Sequence, residues 1–126
     1  MKISVIGSGY VGSVTAACFA ELGHEVICLD IDKRKTDLIN EGIPPIYEEG
    51  LGELLQKHAG KNLTATTDYE SAIRKTDISF ICVGTPSAED GSIDLSIVRA
   101  ATTSIGTVLA KKEGYHVVVV KSTVVP

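Results

Sequence analysis

The most informative residues for chemistry are three glycines near the start of the chain, in the segment GSGYVG at residues 7–12. A short apolar run precedes the segment and a stretch with helical periodicity follows it, which is the strand–turn–helix context that this spacing needs. Gly7 permits a tight turn, Gly9 lets the backbone approach a pyrophosphate, and Gly12 allows close packing of the helix on the strand. Because the free N–H groups and the dipole of a helix start favour phosphate, the segment predicts a dinucleotide-binding turn.

An acidic residue that could select the dinucleotide stands at the end of the second apolar run. Asp30 lies 18 residues after Gly12, where the ribose-binding carboxylate of such a site belongs. A carboxylate there accepts hydrogen bonds from ribose hydroxyls and repels a 2′-phosphate, which favours NAD over NADP. The cations at 33–35 follow closely and could accommodate a phosphate, but the carboxylate argument predicts NAD as the cofactor.

Alternating strands and helices must position these residues. Apolar runs predict strands at 2–6, 25–29, 62–66, 77–83 and 116–120, and periodicity predicts helices at 10–22, 33–40, 50–58 and 94–110. This order indicates an α/β fold, a single Rossmann-type domain over 1–126 whose doubly wound, mostly parallel sheet has helices on both faces. Four consecutive valines, Val117–Val120, suggest a strand buried on both sides.

Particular residues are expected to form the buried faces of two helices. The spacing predicts that the first helix buries Val11, Val14, Cys18 and Leu22. It predicts that the last helix buries Val98, Ala101, Ile105 and Val108, with Asp94 as its N-cap.

The ends of the fourth and fifth predicted strands should border the glycine turn. In the strand order 3-2-1-4-5, the fourth strand lies beside the first and the fifth beside the fourth. Their exits carry Gly84-Thr85-Pro86 and Lys121-Ser122-Thr123. Because polar and glycine-rich segments then meet at the carboxyl ends of three strands, the sequence predicts a ligand site there.

Composition excludes several other classes of protein. The chain has 126 residues and a net charge of −4, and its 12 Lys and Arg are outnumbered by 16 Asp and Glu, so no nucleic-acid partner is expected. The apolar runs are too short for a signal peptide or a membrane span, which predicts a cytoplasmic protein with no membrane partner. Cys18, Cys28 and Cys82 have no metal-ligand spacing, so we expect no metal site and three buried thiols.

The segment 41–51 is irregular because its two adjacent prolines exclude a helix interior or a central strand. It is either a connecting loop or an ordered platform for ligand contacts.

Five motifs in order resemble one family. They are MKISVIGSGYVG, GHEVICLDID, GIPPIYEEGL, FICVGTP and VVVVKSTVVP, and together they cover the chain. They are similar to motifs of the UDP-glucose/GDP-mannose dehydrogenases, which oxidise a sugar nucleotide to its uronate with two NAD in polysaccharide biosynthesis. The resemblance implies the N-terminal NAD-binding domain of an enzyme with a sugar-nucleotide substrate, homodimeric at full length.

The resemblance also implies roles for single residues. Positions that match cofactor contacts of the family are Tyr10, Val11, Asp30, Lys35, Thr85 and Thr123. Thr123 further resembles a threonine that helps to place water in the hydrolytic step. Tyr47 and Glu48 match a loop that closes near the substrate, where Glu49 replaces the family's proline.

In this family a cysteine thiolate attacks the aldehyde intermediate, and the thioester that results is hydrolysed. The resemblance places that cysteine, its lysine partner and a water-activating glutamate beyond residue 126, as it does the central helix and the sugar-nucleotide domain. None of the chain's three cysteines matches the nucleophile. We therefore expect the chain to bind NAD without turning over a sugar nucleotide.

Two alternatives remain open from the sequence. One is a free-standing NAD-binding sensor domain of the kind that regulates ion transporters, and the other is a different NAD-dependent dehydrogenase, acting on hydroxy acids or imines. The hypothesis of a sensor domain does not explain the Pro44-Pro45 loop or the KST segment at 121–123.

Overall fold

The computed structural model describes residues 1–125 of the chain. These residues form a five-stranded parallel sheet with helices on both faces. Pro126, which closes the last motif, lies outside the described residues. The elements in chain order are β1 (Lys2–Ile6), α1 (Tyr10–Glu21), β2 (Glu25–Leu29), α2 (Lys33–Asn40), α3 (Leu51–His58), β3 (Leu63–Thr66), α4 (Tyr69–Arg74), β4 (Ile78–Ile81), α5 (Ser96–Leu109) and β5 (Val117–Val120).

The strand order is β3-β2-β1-β4-β5, which confirms the doubly wound arrangement. All four strand pairings are parallel, and β1 lies at the centre with Ile6 opposite Leu29 of β2 and Ile81 of β4. Because parallel neighbours end at the same edge, the exits of β1, β2 and β4 meet above the sheet. The topology therefore brings the glycine turn and Asp30 together.

Two apolar layers cover the two faces of the sheet. Strand residues such as Val5 and Val26 pack with α1, α2 and α3, where Leu55 is buried. The alternate strand residues, among them Ile6, pack with α4 and α5 through Ile73 and Ile105. This alternation is the period of two expected for a sheet covered on both sides.

The expected buried face of α1 is wrong. The buried residues are the small ones, Gly12, Ser13, Ala16, Ala17 and Ala20. Val11 and Leu22 are 43% and 73% exposed, Cys18 is exposed, and Val14 is only half-buried. The physical reason is distance: α1 begins so close to the turn after β1 that only small side chains fit between helix and sheet. The expectation of three buried cysteines fails at Cys18, which lies outside the buried face of α1, whereas Cys28 and Cys82 are buried.

The valine strand is also not buried on both sides. β5 lies at the edge of the sheet, and Val118 and Val120 are 38% and 45% exposed. Four consecutive valines satisfy the pattern of a central strand, but an edge strand has only one neighbour and incomplete cover. In contrast, Val98, Ala101, Ile105 and Val108 of α5 are buried as predicted.

Two local features differ from the sequence prediction. The helix α4 was not predicted, although Asp68 caps it by accepting from the backbone N–H of Glu70 at 3.1 Å. The N-cap of α5 is Leu95 and not Asp94, whose carboxylate still accepts from the Ser96 N–H at 2.9 Å. Within residues 1–125 no helix has the length and apolar character needed to cross a membrane.

Candidate functional site

The turn after β1 contains a glycine, Gly7, that no other residue could replace without strain. Gly7 has φ +105°, and a Cβ there would lie 2.9 Å from the carbonyl oxygen of Cys82. Its N–H donates to the Leu29 carbonyl at 2.7 Å, so the turn is tied to the end of β2. The chain therefore leaves β1 against the ends of both neighbouring strands, as the predicted tight turn requires.

The start of α1 offers an open cradle. A Cβ at Gly9 would meet nothing within 4 Å, and Gly9 is the N-cap of α1 without a side-chain cap. The first N–H groups of a helix have no partner inside the helix and carry the positive end of its dipole. Open space beside such donors suits a pyrophosphate, which carries the charge and acceptor oxygens that they need.

Asp30 lies at the end of β2, beside this turn. Its Oδ2 accepts from the N–H and the hydroxyl of Ser8 at 2.8 and 2.6 Å, and its Oδ1 accepts from the N–H of Asp32 at 2.8 Å. The distances are those of strong hydrogen bonds to an ionised oxygen. The carboxylate is thus held in one orientation next to the glycine turn.

A cleft of about 800 Å³ opens above the carboxyl ends of β1, β2 and β4. Its volume lies within the range of sites that bind cofactors, roughly 300–1,000 Å³. The lining residues come from the glycine turn, the segment after β2, the start of α4, the end of β4 and α5; they are Ile6, Gly7, Ser8, Gly9, Leu29, Asp30, Ile31, Asp32, Lys35, Tyr69, Cys82, Val83, Gly84, Ser96, Ile97, Ala100, Ala101 and Ser104. Most of this wall is apolar, while Asp30, Asp32 and Lys35 supply the charges.

Burial keeps the thiols of Cys28 and Cys82 in their neutral forms. The pKa of the Cys82 thiol is raised to about 11 by burial, against the opposing effects of Lys121 and a hydrogen bond with Thr15. The pKa of Cys28 is raised to about 12, first by burial and then by the charge of Asp30 and by Cys82. Because the thiolate is the nucleophile, neither thiol is activated at neutral pH. No cluster of metal-binding side chains occurs in the described part of the chain.

A sequence profile of the UDP-glucose/GDP-mannose dehydrogenase family, NAD-binding domain, matches residues 1–126. The chain belongs to this family. It is 54% identical over its full length to UDP-glucose 6-dehydrogenase AglM of Haloferax volcanii and 52% identical to a GDP-mannose 6-dehydrogenase of Pseudomonas syringae pv. syringae. It spans only 29% of the length of each of these relatives.

The fold of this NAD-binding domain is also similar to a solved structure. A ternary complex of GDP-mannose dehydrogenase from Pseudomonas aeruginosa superposes with a TM-score of 0.96 at 47% sequence identity. The match covers 100% of this chain and 29% of that one. The Rossmann-type fold and NAD as the cofactor, both predicted from the sequence, are confirmed.

The structure brings several of the predicted cofactor residues of this NAD-binding domain together. Gly7, Gly9, Asp30 and Lys35 line the cleft, and Gly12 lies beneath the turn. Tyr10 and Val11 occupy the first turn of α1 with 56% and 43% of their surfaces exposed.

Thr85 follows the lining residue Gly84, but neither Thr85 nor Thr123 is among the residues that line the cleft. The segment that holds Thr123 is tied to β4, because the hydroxyl of Ser122 donates to the Val83 carbonyl at 2.7 Å. The N–H of Lys121 likewise donates to the Ile81 carbonyl at 2.9 Å. The predicted meeting of strand exits at one edge of the sheet is therefore present.

The loop at 41–51 lies apart from the cleft. Tyr47 is 89% exposed, and Glu48 lines a separate cavity of about 180 Å³ that also involves Glu49, Val14 and Cys18. This cavity lies between the loop and α1, on the sheet face that α1 and α3 cover. Neither of the predicted substrate residues, Tyr47 and Glu48, is therefore among the residues that line the cleft.

Sequence reasoning missed many of the residues that line the cleft, among them Tyr69, Ser8 and Ile31. Tyr69 is half-buried at the start of the unpredicted helix α4, and its pKa is raised by burial and by the charge of Asp30. Asp68 was the available signal, since an Asp before a short amphipathic stretch is a helix start. Ser8 and Ile31 adjoin predicted residues, but their types carry no distinctive pattern.

Proposed function

We propose that the chain is the NAD-binding domain of a nucleotide-sugar 6-dehydrogenase. Such an enzyme oxidises the C6 alcohol of a UDP- or GDP-linked sugar to a carboxylate. The observation that carries the proposal is the fixed carboxylate of Asp30 beside an open glycine turn, in a chain about half identical to dehydrogenases of both sugar-nucleotide classes.

The residues around the cleft fit a dinucleotide. The free N–H groups at the start of α1 bind the pyrophosphate, and Asp30 binds the adenosine ribose. Lys35 lies on the same side as Asp30 and contacts the adenosine end. When bound, NAD supplies the acceptor for hydride from the substrate carbon. The chain's own part is to hold the cofactor and to keep water from the apolar wall formed by residues such as Ile97.

The remaining predicted roles are proposals that rest on the family pattern. Thr85 contacts the cofactor from the exit of β4, and Thr123 contacts it from the exit of β5 and helps to position water. Tyr47 and Glu48 approach the sugar nucleotide from their loop, where Glu49 in place of proline adds a negative charge. The substrate and a homodimeric state belong to the full-length enzyme.

The chain alone should not complete the reaction. The second oxidation requires a thiolate that adds to the aldehyde. Cys28 and Cys82 are buried with raised pKa values, and the exposed Cys18 lines the separate cavity beside Glu48. None of these thiols is both reactive and open to the cleft, so we propose that the nucleophile lies elsewhere in the parent enzyme.

Calorimetry with NAD and NADP tests the cofactor part of this proposal. We expect NAD to bind and NADP to bind much more weakly, because a 2′-phosphate would meet the Asp30 carboxylate. Equal affinity for the two would contradict the role of Asp30. The purified chain mixed with NAD and either UDP-glucose or GDP-mannose should produce no NADH. Measurable turnover would refute the proposal that the nucleophilic cysteine lies elsewhere in the parent enzyme.

A further inference from the structure

The carboxylate of Asp30 is almost fully used by donors of the protein. A carboxylate has about four in-plane acceptor sites. The N–H and hydroxyl of Ser8 occupy Oδ2, and the N–H of Asp32 occupies one site of Oδ1. One site on Oδ1 therefore remains for a ligand. The shortest of the contacts, 2.6 Å, is made by the Ser8 hydroxyl.

Ser8 is itself held rigidly. It is 0% exposed, and its carbonyl accepts from the hydroxyl of Ser13 at 2.8 Å. It lies between Gly7 and Gly9, so its backbone belongs to the turn that cradles the pyrophosphate. A single buried residue thus links the phosphate-binding turn to the ribose-binding carboxylate.

We infer that Ser8 is a positioning residue whose hydroxyl fixes the Asp30 carboxylate so that its free Oδ1 site meets the 2′-hydroxyl of the adenosine ribose. The inference rests on the proposed role of Asp30 as the ribose ligand. Without the Ser8 hydroxyl, each oxygen of the carboxylate keeps one backbone N–H donor, from Ser8 and from Asp32, and the carboxylate is held less firmly. Cofactor affinity then falls because the carboxylate must be ordered on binding.

The test compares NAD with an analogue whose adenosine ribose lacks the 2′-hydroxyl. For Ser8→Ala we expect NAD affinity to fall about 3- to 10-fold, the scale of one ordinary hydrogen bond, because the lost bond acts on the ligand through Asp30. Affinity for the deoxy analogue should change little, so that the advantage of NAD over the analogue shrinks. Ser8→Thr retains the hydroxyl and should retain this advantage.

Ser79→Ala is the control, because it removes a buried hydroxyl that contacts Ser4 and His116 and has no contact with Ser8 or Asp30. It should leave the advantage of NAD over the analogue intact. If Ser8→Ala weakens both ligands equally, the residue acts on the shape of the turn and the inference is wrong. Thermal unfolding checks the fold of each variant; if Ser8→Ala does not fold, the nearly isosteric Ser8→Cys, a weak donor, provides the same comparison.

Asp30→Ala separates this inference from the proposed role of Asp30. If that variant binds NAD as well as the original chain, the ribose assignment fails and the role of Ser8 fails with it. If Asp30→Ala weakens binding and Ser8→Ala does not, only the inference about Ser8 is overturned.

Discussion

Gly12 faces Gly7 across the turn so closely that a Cβ on Gly12 would lie 1.7 Å from the Gly7 carbonyl oxygen. No side chain can relieve this overlap, because the obstructing atom is backbone. We expect Gly12→Ala to lower the free energy of unfolding by about 3 kcal/mol, the upper end for overpacked sites, despite the better helix propensity of alanine. Urea unfolding followed by circular dichroism measures this loss.

Gly9→Val should leave the stability of the fold intact and abolish the binding of NAD. A Cβ at Gly9 meets nothing within 4 Å and its backbone has φ −71°, which any residue can adopt, so the fold should persist. Binding of NAD should be abolished, because the isopropyl group blocks the approach of backbone to pyrophosphate. The two measurements are an unfolding curve and a calorimetric titration. Normal NAD affinity in this variant would contradict the proposal that the pyrophosphate binds beside Gly9.

The glycine turn that holds Gly9 and Gly12 illustrates what the sequence could and could not predict. Their spacing identified the turn, the central strand and the strand order, because these follow from local pattern and from the rules of parallel sheets. It did not reveal that α1 approaches the sheet closely enough to bury Ala16 and Ala20 in place of Val14. Helix periodicity ranks side chains by hydrophobicity, whereas the distance between helix and sheet is set by the turn.

Tertiary contacts account for the other differences. Ser8 has no pattern of its own, and its two bonds to Asp30 join residues 22 positions apart. Val118 and Val120 resemble a central strand, and only the topology shows that β5 is an edge. The position of Asp30 at the end of the second strand followed from the sequence pattern, whereas the orientation of its carboxylate did not.

Asp30→Ala should weaken NAD binding by about 1–3 kcal/mol, on the scale of hydrogen bonds to a charged group. It should also narrow the preference for NAD over NADP, because the repelling charge is lost. Asp90→Ala is a matched control, because Asp90 does not line the cleft and its carboxylate accepts a hydrogen bond from the Ser92 hydroxyl. Calorimetry with both dinucleotides measures the effect. Unchanged NAD affinity for Asp30→Ala would remove the ribose assignment.

Stability should fall when the pH falls below about 6.5, the ordinary pKa of histidine. The pKa of His116 is lowered by burial and by Lys112, with opposing effects of the Thr76 carbonyl and Asp77. Its Nδ1 lies 3.0 Å from the Lys112 ammonium, and its Nε2 lies 2.8 Å from the Ser79 hydroxyl. The unfolded chain therefore binds the proton more readily, and the stabilisation present above the ordinary pKa is lost as pH falls through the folded value.

Urea unfolding at about pH 7.5 and about pH 5.5 brackets the titration of histidine. His116→Gln should reduce the difference in unfolding free energy between the two conditions. His24→Gln, at a histidine outside this cluster, should leave the pH-dependent loss in place. An unchanged loss in the His116 variant would show that other groups cause it.

The three thiols should differ in their reactivity toward an alkylating agent at neutral pH. Cys18 is exposed on α1 and should be modified first, whereas Cys28 and Cys82 are buried with pKa values raised to about 12 and about 11. Mass spectrometry of peptides after timed labelling gives the order, and Cys18→Ser should remove the fast phase. Since Cys82 lines the cleft, NAD should slow its labelling further and leave Cys18 unaffected. Rapid modification of Cys82 would contradict both its burial and its neutral state, and would reopen the question of which thiol serves the reaction.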